Sequence, residues 1–374
     1  MIGQFSHQFP DIKIEPNYIP SAQFGPALLT QYQAGAAPDL FVTQAGASSN
    51  YALYALGSQG KLLDLSGSPW QKRVLPTTRK YLKVKERYYG FPSGYVTNGL
   101  LFNKDLFNSL GLTIPKDFAT LIADCKKSLA AGKPLLAAGF ASLTANVTLS
   151  LSPIVQMVYA KDPNWTLERI QHKTTFASSP LWQRALGAIV DMKNANCFQP
   201  APQGTTVTQQ YGLVTTGAAV GMPNSLGEIA NLNAINPNIK YFQVAFPADD
   251  AKDTHVILST AQFILVANKA TQHPNEAKEF INFVSRPKQN ALFAKVSASI
   301  APDDIAKGIV PDVLSEEVAL LKAGKTIYTP VSGWPRPDKG MYIPSLIFQI
   351  PGLFTGQKTV ADILQFMDAL WDRP

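Results

Sequence analysis

At 374 residues the chain is longer than one ordinary hydrophobic core supports, so two domains are expected. Its 46% hydrophobic and 16% charged residues, with a mean hydropathy of -0.01, are those of a globular protein, and no apolar run reaches the roughly 18 residues that a bilayer span needs. The formal charge of +7 is scattered, with only short pairs such as Arg79-Lys80 and Lys126-Lys127 and no basic stripe interleaved with aromatics, which argues against a nucleic-acid partner.

Met1 to Pro10 contains Gln4, His7 and Gln8 and lacks the apolar stretch of a signal peptide. Ile2, Phe5 and Phe9 recur on one side of a predicted helix that Pro10-Asp11 stops, and Ile12 to Glu15 alternates as a half-exposed strand. A helix is predicted from about Ser21 to Ala34, ended by Gly35. A short buried strand, Asp39 to Thr43, comes next and runs into the polar loop Gln44 to Asn50. Strands alternating with helices favour parallel sheets with covered faces, in which ligands sit beyond the carboxyl ends of strands, so this loop is a candidate wall.

Tyr51 to Gly60 reads as helical. Gly90 to Pro115 organises the middle of the chain: an approach with Pro92 and Gly94, the apolar run Leu100-Leu101-Phe102, and a helix opening at Asn103 or Lys104 and closing at Gly111. An extended segment followed at once by a punctuated helix suits a passage from one domain to the other. Next are predicted a helix Phe118 to Gly132, a buried strand Leu135 to Phe140, and helices Asn146 to Tyr159 and Trp182 to Asn194. Trp182, Leu186, Ile189 and Met192 at helical spacing indicate core packing.

Thr215 to Met222 reads as a Gly-rich turn and short strand, ending in Pro223-Asn224-Ser225-Leu226-Gly227-Glu228. It lacks the G-x-x-x-x-G-K-[ST] spacing of a phosphate loop, so a ligand wall ahead of a helix is the better reading. Strands at Tyr241 to Phe246 and Gln262 to Val266, an amphipathic helix Asn275 to Ser285, a second after Pro287, a helical stretch Ile309 to Gly324, a Pro-rich segment and a last helix Val360 to Trp371 complete the chain. Cys125 and Cys197 have neither C-x-x-C spacing nor histidine neighbours, which argues against zinc; free thiols are the expectation, with a disulfide between the two as the alternative.

The ordered set of segments resembles the extracellular solute-binding proteins of ABC importers, in the branch that binds sugars. FPDIKIEP, LLTQYQAGAAPDLFVT, YYGFPSGYVTNGLLFNKDLFNSLGLTIPKDF, TTGAAVGMPNS, NEAKEFINFV and GQKTVADIL occur in the family's order across nearly the whole chain. Phe102 stands where a Tyr is usual and Phe118 where a Trp is usual. The family also begins with a strand before its first helix, whereas this sequence starts inside that helix.

The resemblance implies an α/β, two-lobed periplasmic-binding-protein fold, type II-like, each lobe a mixed, mainly parallel sheet flanked by helices, with hinge crossings. It implies an N-terminal lobe of residues 1–101 and 258–304 and a C-terminal lobe of 102–257 and 305–374, with the solute held in the cleft by hinge closure. Candidate ligand contacts are Gln44, Ser48 and Asn50; Tyr95, Thr97 and Asn98; Asn224, Ser225 and Glu228; and Trp334, Arg336 and Tyr342, where Trp334 or Tyr342 would stack on a sugar ring. Tyr51, Trp70, Trp165 and Trp371 are expected to pack.

No cofactor or metal is implied. The partners that the resemblance implies are a carbohydrate and the membrane permease with its ATPase, the location it implies is periplasmic or extracellular with or without a lipid anchor, and the expected state is a monomer. An anionic solute such as a glycerol phosphodiester or acidic sugar is the alternative, suggested by Arg336 and Lys339. Catalysis is disfavoured. His7, His172, His255 and His273 lie in unrelated contexts, no G-x-S-x-G or H-E-x-x-H pattern occurs, and Asp39 and Asp64 suit turns and caps.

Overall fold

Several helices begin where a side chain satisfies the free N–H groups of the first turn. Asp117 Oδ1 accepts from Thr120 N at 2.8 Å and opens the helix Phe118–Ala130. Asn103 Oδ1 accepts from Leu106 N at 3.2 Å ahead of Lys104–Ser109. Thr206 with Gln209, and Thr359 with Asp362, form capping boxes before Val207–Thr215 and Val360–Trp371. The computed structural model describes residues 1–19, 21–259, 263–334 and 346–373.

In chain order the strands are β1 (Leu40–Thr43), β2 (Lys83–Val84), β3 (Arg87–Tyr88), β4 (Gly90–Pro92) and β5 (Val96–Asn103), then β6 (Gly221–Ser225), β7 (Tyr241–Val244), β8 (Val256–Ser259), β9 (Ile264–Ala267) and β10 (Thr326–Tyr328). The chain folds as two compact units. The first is Met1–Tyr95, Thr260–Ile305 and Val331–Lys339; the second is Val96–Ser259, Ala306–Pro330 and Gly340–Pro374.

In the first unit β9 lies between β1 and β4, antiparallel to both. The helix Ile2–Gln8 forms as its spacing predicts. It docks through Phe5, fully buried, whose ring meets Phe280 and Phe283 of the helix Pro274–Val284 at 5.0 and 5.3 Å. Trp70 is fully buried against Tyr88 and Phe91. Ile12 to Glu15 is not a strand. Its side chains do alternate in exposure, but none of the described strands pairs with it, and a strand exists only through its ladder.

The second unit is built on β5, all eight of whose residues are buried. β6 lines one edge; β8 and then β7 share the other, and β10 extends the sheet beyond β8. Among the named strands only β8 and β10 run parallel, so the expectation of mainly parallel sheets does not hold. Helix-strand alternation fixes the order of elements. Ladder direction depends on neighbours distant in sequence, as where Leu40 of β1 meets Ala267 of β9.

Gly99 sits where the ladder passes from β8 to β7, and a Cβ there would lie 2.3 Å from Val244 O. Only glycine permits that approach. Leu135 to Phe140 forms no strand; Leu136 alone bridges, to Phe198 and Gly221. The helix Leu143–Ile154 contains Pro153 and continues as a π-helical turn, Val155–Tyr159. In the helix Pro180–Asn194, Trp182, Leu186, Ile189 and Met192 are fully buried. Sequence patterning did not predict the helix Val207–Thr215 or strand β10.

Cys125 and Cys197 form a disulfide, with sulfur atoms 2.02 Å apart, which overturns the expectation of free thiols. The bridge at Leu136, whose N donates to Cys197 O at 2.8 Å, ties the stretch holding Cys197 to the one that lies just after the helix of Cys125. The two cysteines are 72 positions apart in sequence, so spacing carried no sign of the pairing.

Candidate functional site

In the first unit the loop after β1 is pinned by backbone bonds. Gly46 N donates to Tyr81 O at 2.8 Å and Ala47 N to Ser332 O at 2.7 Å. Gly46 has φ +65, and a Cβ there would lie 2.1 Å from Ser332 O, so this contact requires glycine. Gln44 Nε2 donates to Tyr51 Oη at 3.3 Å, and Ser48 Oγ donates to Gln44 Oε1 at 3.1 Å. Ser48 and Asn50 are exposed. The loop thus presents an amide and a hydroxyl already oriented by their neighbours.

Tyr95 and Trp334 sit differently. Tyr95 is fully buried, with its hydroxyl 2.8 Å from Thr78 Oγ1, and Trp334 is 2% exposed. Arg336 and Tyr342 lie outside the described residues.

In the second unit the remaining candidates gather at the end of the sheet where β5 begins and β8 ends. Side chains alternate across a strand, so Thr97 shares a face with Gly99 and its partner Asn224, while Asn98 shares the other with its partner Ser225. On the first face Thr97 Oγ1 donates to Gln243 Oε1 at 2.8 Å. On the second, Asn98 Nδ2 donates to Ser259 Oγ at 3.1 Å and Asn98 Oδ1 accepts from Thr148 Oγ1 at 3.4 Å. Asn224 Oδ1 accepts from Ser225 N at 2.9 Å, and Ser225 Oγ accepts from Gly227 N at 3.4 Å.

Glu228 is engaged locally. Its Oε2 accepts a short bond from the Tyr211 hydroxyl and another from Asn231 Nδ2 at 2.7 Å. Burial, with the bond and charge of Glu228 added, pushes the Tyr211 hydroxyl well above the usual tyrosine range.

Sequence reasoning missed Gln243, Ser259 and Thr148. A glutamine in the otherwise apolar strand Tyr241 to Val244 was the available sign. Thr148 belongs to a run, Asn146, Thr148, Ser150 and Ser152, buried along an apolar helix. At the far end of β5, Asn103, Asp105, Lys133, Thr216 and Asn238 help line a separate cavity of about 360 Å³. No cluster of three or more His, Cys, Asp or Glu suited to a metal occurs among the described residues.

Residues 1–291 match the family described as bacterial extracellular solute-binding protein. The melibiose/raffinose/stachyose-binding protein MelE of Bacillus subtilis (strain 168) is 22% identical over 380 residues, covering 98% of this chain and 82% of its own. Apo RafE from Streptococcus pneumoniae superposes with a TM-score of 0.79 at 20% identity, covering 99% of this chain and 92% of its own. RafE in complex with raffinose gives 0.78 at 21% identity, covering 99% and 94%. At these identities the structural likeness speaks for the fold, and the family match extends over most of the sequence. The chain belongs to the bacterial extracellular solute-binding protein family.

Proposed function

We propose that the chain captures a neutral oligosaccharide outside the cytoplasm and passes it, chemically unaltered, to the permease and ATPase of an ABC importer, acting as a monomer. The observation that carries this reading is the uniform chemistry of the candidate side chains. Gln44 and Ser48 in the first unit, and Thr97, Asn98, Asn224 and Ser225 in the second, are amides and hydroxyls oriented by neighbouring groups. Fixed neutral donors and acceptors match sugar hydroxyls, each of which both donates and accepts. The relatives named for melibiose, raffinose and stachyose support the same class. The Cys125–Cys197 bond suits an oxidising, extracytoplasmic compartment.

The anionic alternative drew on Arg336 and Lys339, which lie outside the described residues. The one candidate carboxylate, Glu228, is held by Tyr211 and Asn231. A thermal-shift panel of melibiose, raffinose and stachyose against a glycerol phosphodiester tests the proposal. A neutral sugar at a hundredfold excess over its Kd is expected to stabilise the fold by about 2.7 kcal/mol. A shift with the phosphodiester alone overturns it. Incubation with raffinose is expected to release no monosaccharide.

A further inference from the structure

The polar groups at the β5–β6 end of the second unit do not share their bonds equally. Thr97 Oγ1 and Gln243 Oε1 are joined, and Gln243 Nε2 reaches Asn224 O at 3.5 Å. Gly99, the ladder partner of Asn224, leaves the space this amide fills, since a Cβ there would lie 3.0 Å from Gln243 Nε2. Gln243 is fully buried and Asn224 is 3% exposed. Asn224 Oδ1 accepts from Ser225 N, yet Asn224 Nδ2 meets no acceptor among the described residues.

The amide cannot be turned over to relieve this. Exchanging Oδ1 and Nδ2 would set Nδ2 against the Ser225 N–H, donor against donor. A buried N–H without an acceptor costs stability, and an apolar residue of similar volume would avoid the cost. Asn224 thus keeps one oriented, unmet donor on the face it shares with Thr97 and Gly99, and the buried amide of Gln243 buttresses the strand that carries it.

We propose that Asn224 is a specificity-determining residue whose Nδ2 donates to one particular oxygen of the bound sugar, and that Gln243 is a positioning residue that holds the Asn224 backbone in register. This rests on the sugar-binding reading and adds to it the atom that discriminates. A site built around a fixed donor rejects an analogue lacking the matching hydroxyl far more strongly than one lacking a methylene.

The test is calorimetry with raffinose and its monodeoxy analogues on wild type, Asn224→Leu and Asn224→Asp; the aspartate keeps the acceptor for Ser225 N should the leucine variant fail to fold. Wild type is expected to bind one deoxy analogue at least about tenfold more weakly than raffinose. Both variants should lose that one ratio and keep the others, because general damage would weaken every analogue alike. Gln243→Met, which keeps the volume but loses the donor to Asn224 O, is expected to reduce that same ratio and leave the others in place, and Gln243→Glu, which keeps the acceptor for Thr97 Oγ1 but not the donor to Asn224 O, to reduce it as well. A wild type that binds no member of the series removes the sugar reading together with this assignment. A wild type that binds, with its ratios intact in the Asn224 variants, removes the assignment alone.

Discussion

Glu317 is fully buried in the second unit, and neither carboxyl oxygen has a hydrogen-bond partner among the described residues. Burial pushes its carboxyl up from 4.5 to about 8. Between those values the folded protein holds a proton that the unfolded chain has released, so stability falls as pH rises through the window and the loss is complete above 8. Glu317→Gln, which keeps the shape and removes the charge, is expected to raise Tm by several degrees above pH 8 and to change it little below 4.5. Parallel melting curves for the two proteins across that range check this, and curves with equal pH slopes refute it.

Among the elements, the last helix shows how a predictable segment is anchored by contacts that cannot be predicted. Val360–Trp371 begins at a capping box. Asp368 accepts from Phe176 N at 2.8 Å and Ala177 N at 2.9 Å, and buried Arg169 reaches Asp368 at 3.2 Å and Asp372 at 2.8 Å. The Cys125–Cys197 bond is a second such anchor. Closing a loop of 72 residues removes unfolded-state entropy worth about 4 kcal/mol in the chain-entropy model. The double variant Cys125→Ala, Cys197→Ala, or wild type under dithiothreitol, should therefore melt several degrees lower. Thiol titration of the denatured, unreduced protein that finds two free thiols would show that the bond is not formed.

For the molecule as a whole, a charge of +7 spread over scattered side chains bears on solubility more than on the ligand. Candidate groups that are neutral amides and hydroxyls bind through short-range hydrogen bonds, which mobile ions screen weakly. Raffinose affinity is expected to change by less than about twofold between low and physiological salt. Calorimetry at the two ionic strengths checks it, and a steep loss with salt would return the anionic solute to consideration.

Much of the element order was legible because its causes are local. Ile2 and Phe5, and Trp182 and Leu186, fall at helical spacing, and Pro10-Asp11 and Gly111 stop the helices that precede them. The family resemblance used the same information, ordered motifs along the chain. What tertiary structure decided depends on residues far apart in sequence. Among these are the antiparallel partners of β1 and β5, the absence of a strand at Ile12 to Glu15, and the joining of Cys125 to Cys197. The candidate site divides in the same way: polar residues at strand ends such as Gln44 and Asn224 stood out in sequence, whereas Gln243 did not. A glutamine inside a strand becomes meaningful only when pairing sets it beside Thr97 and Gly99, and pairing is a long-range choice that no local pattern encodes.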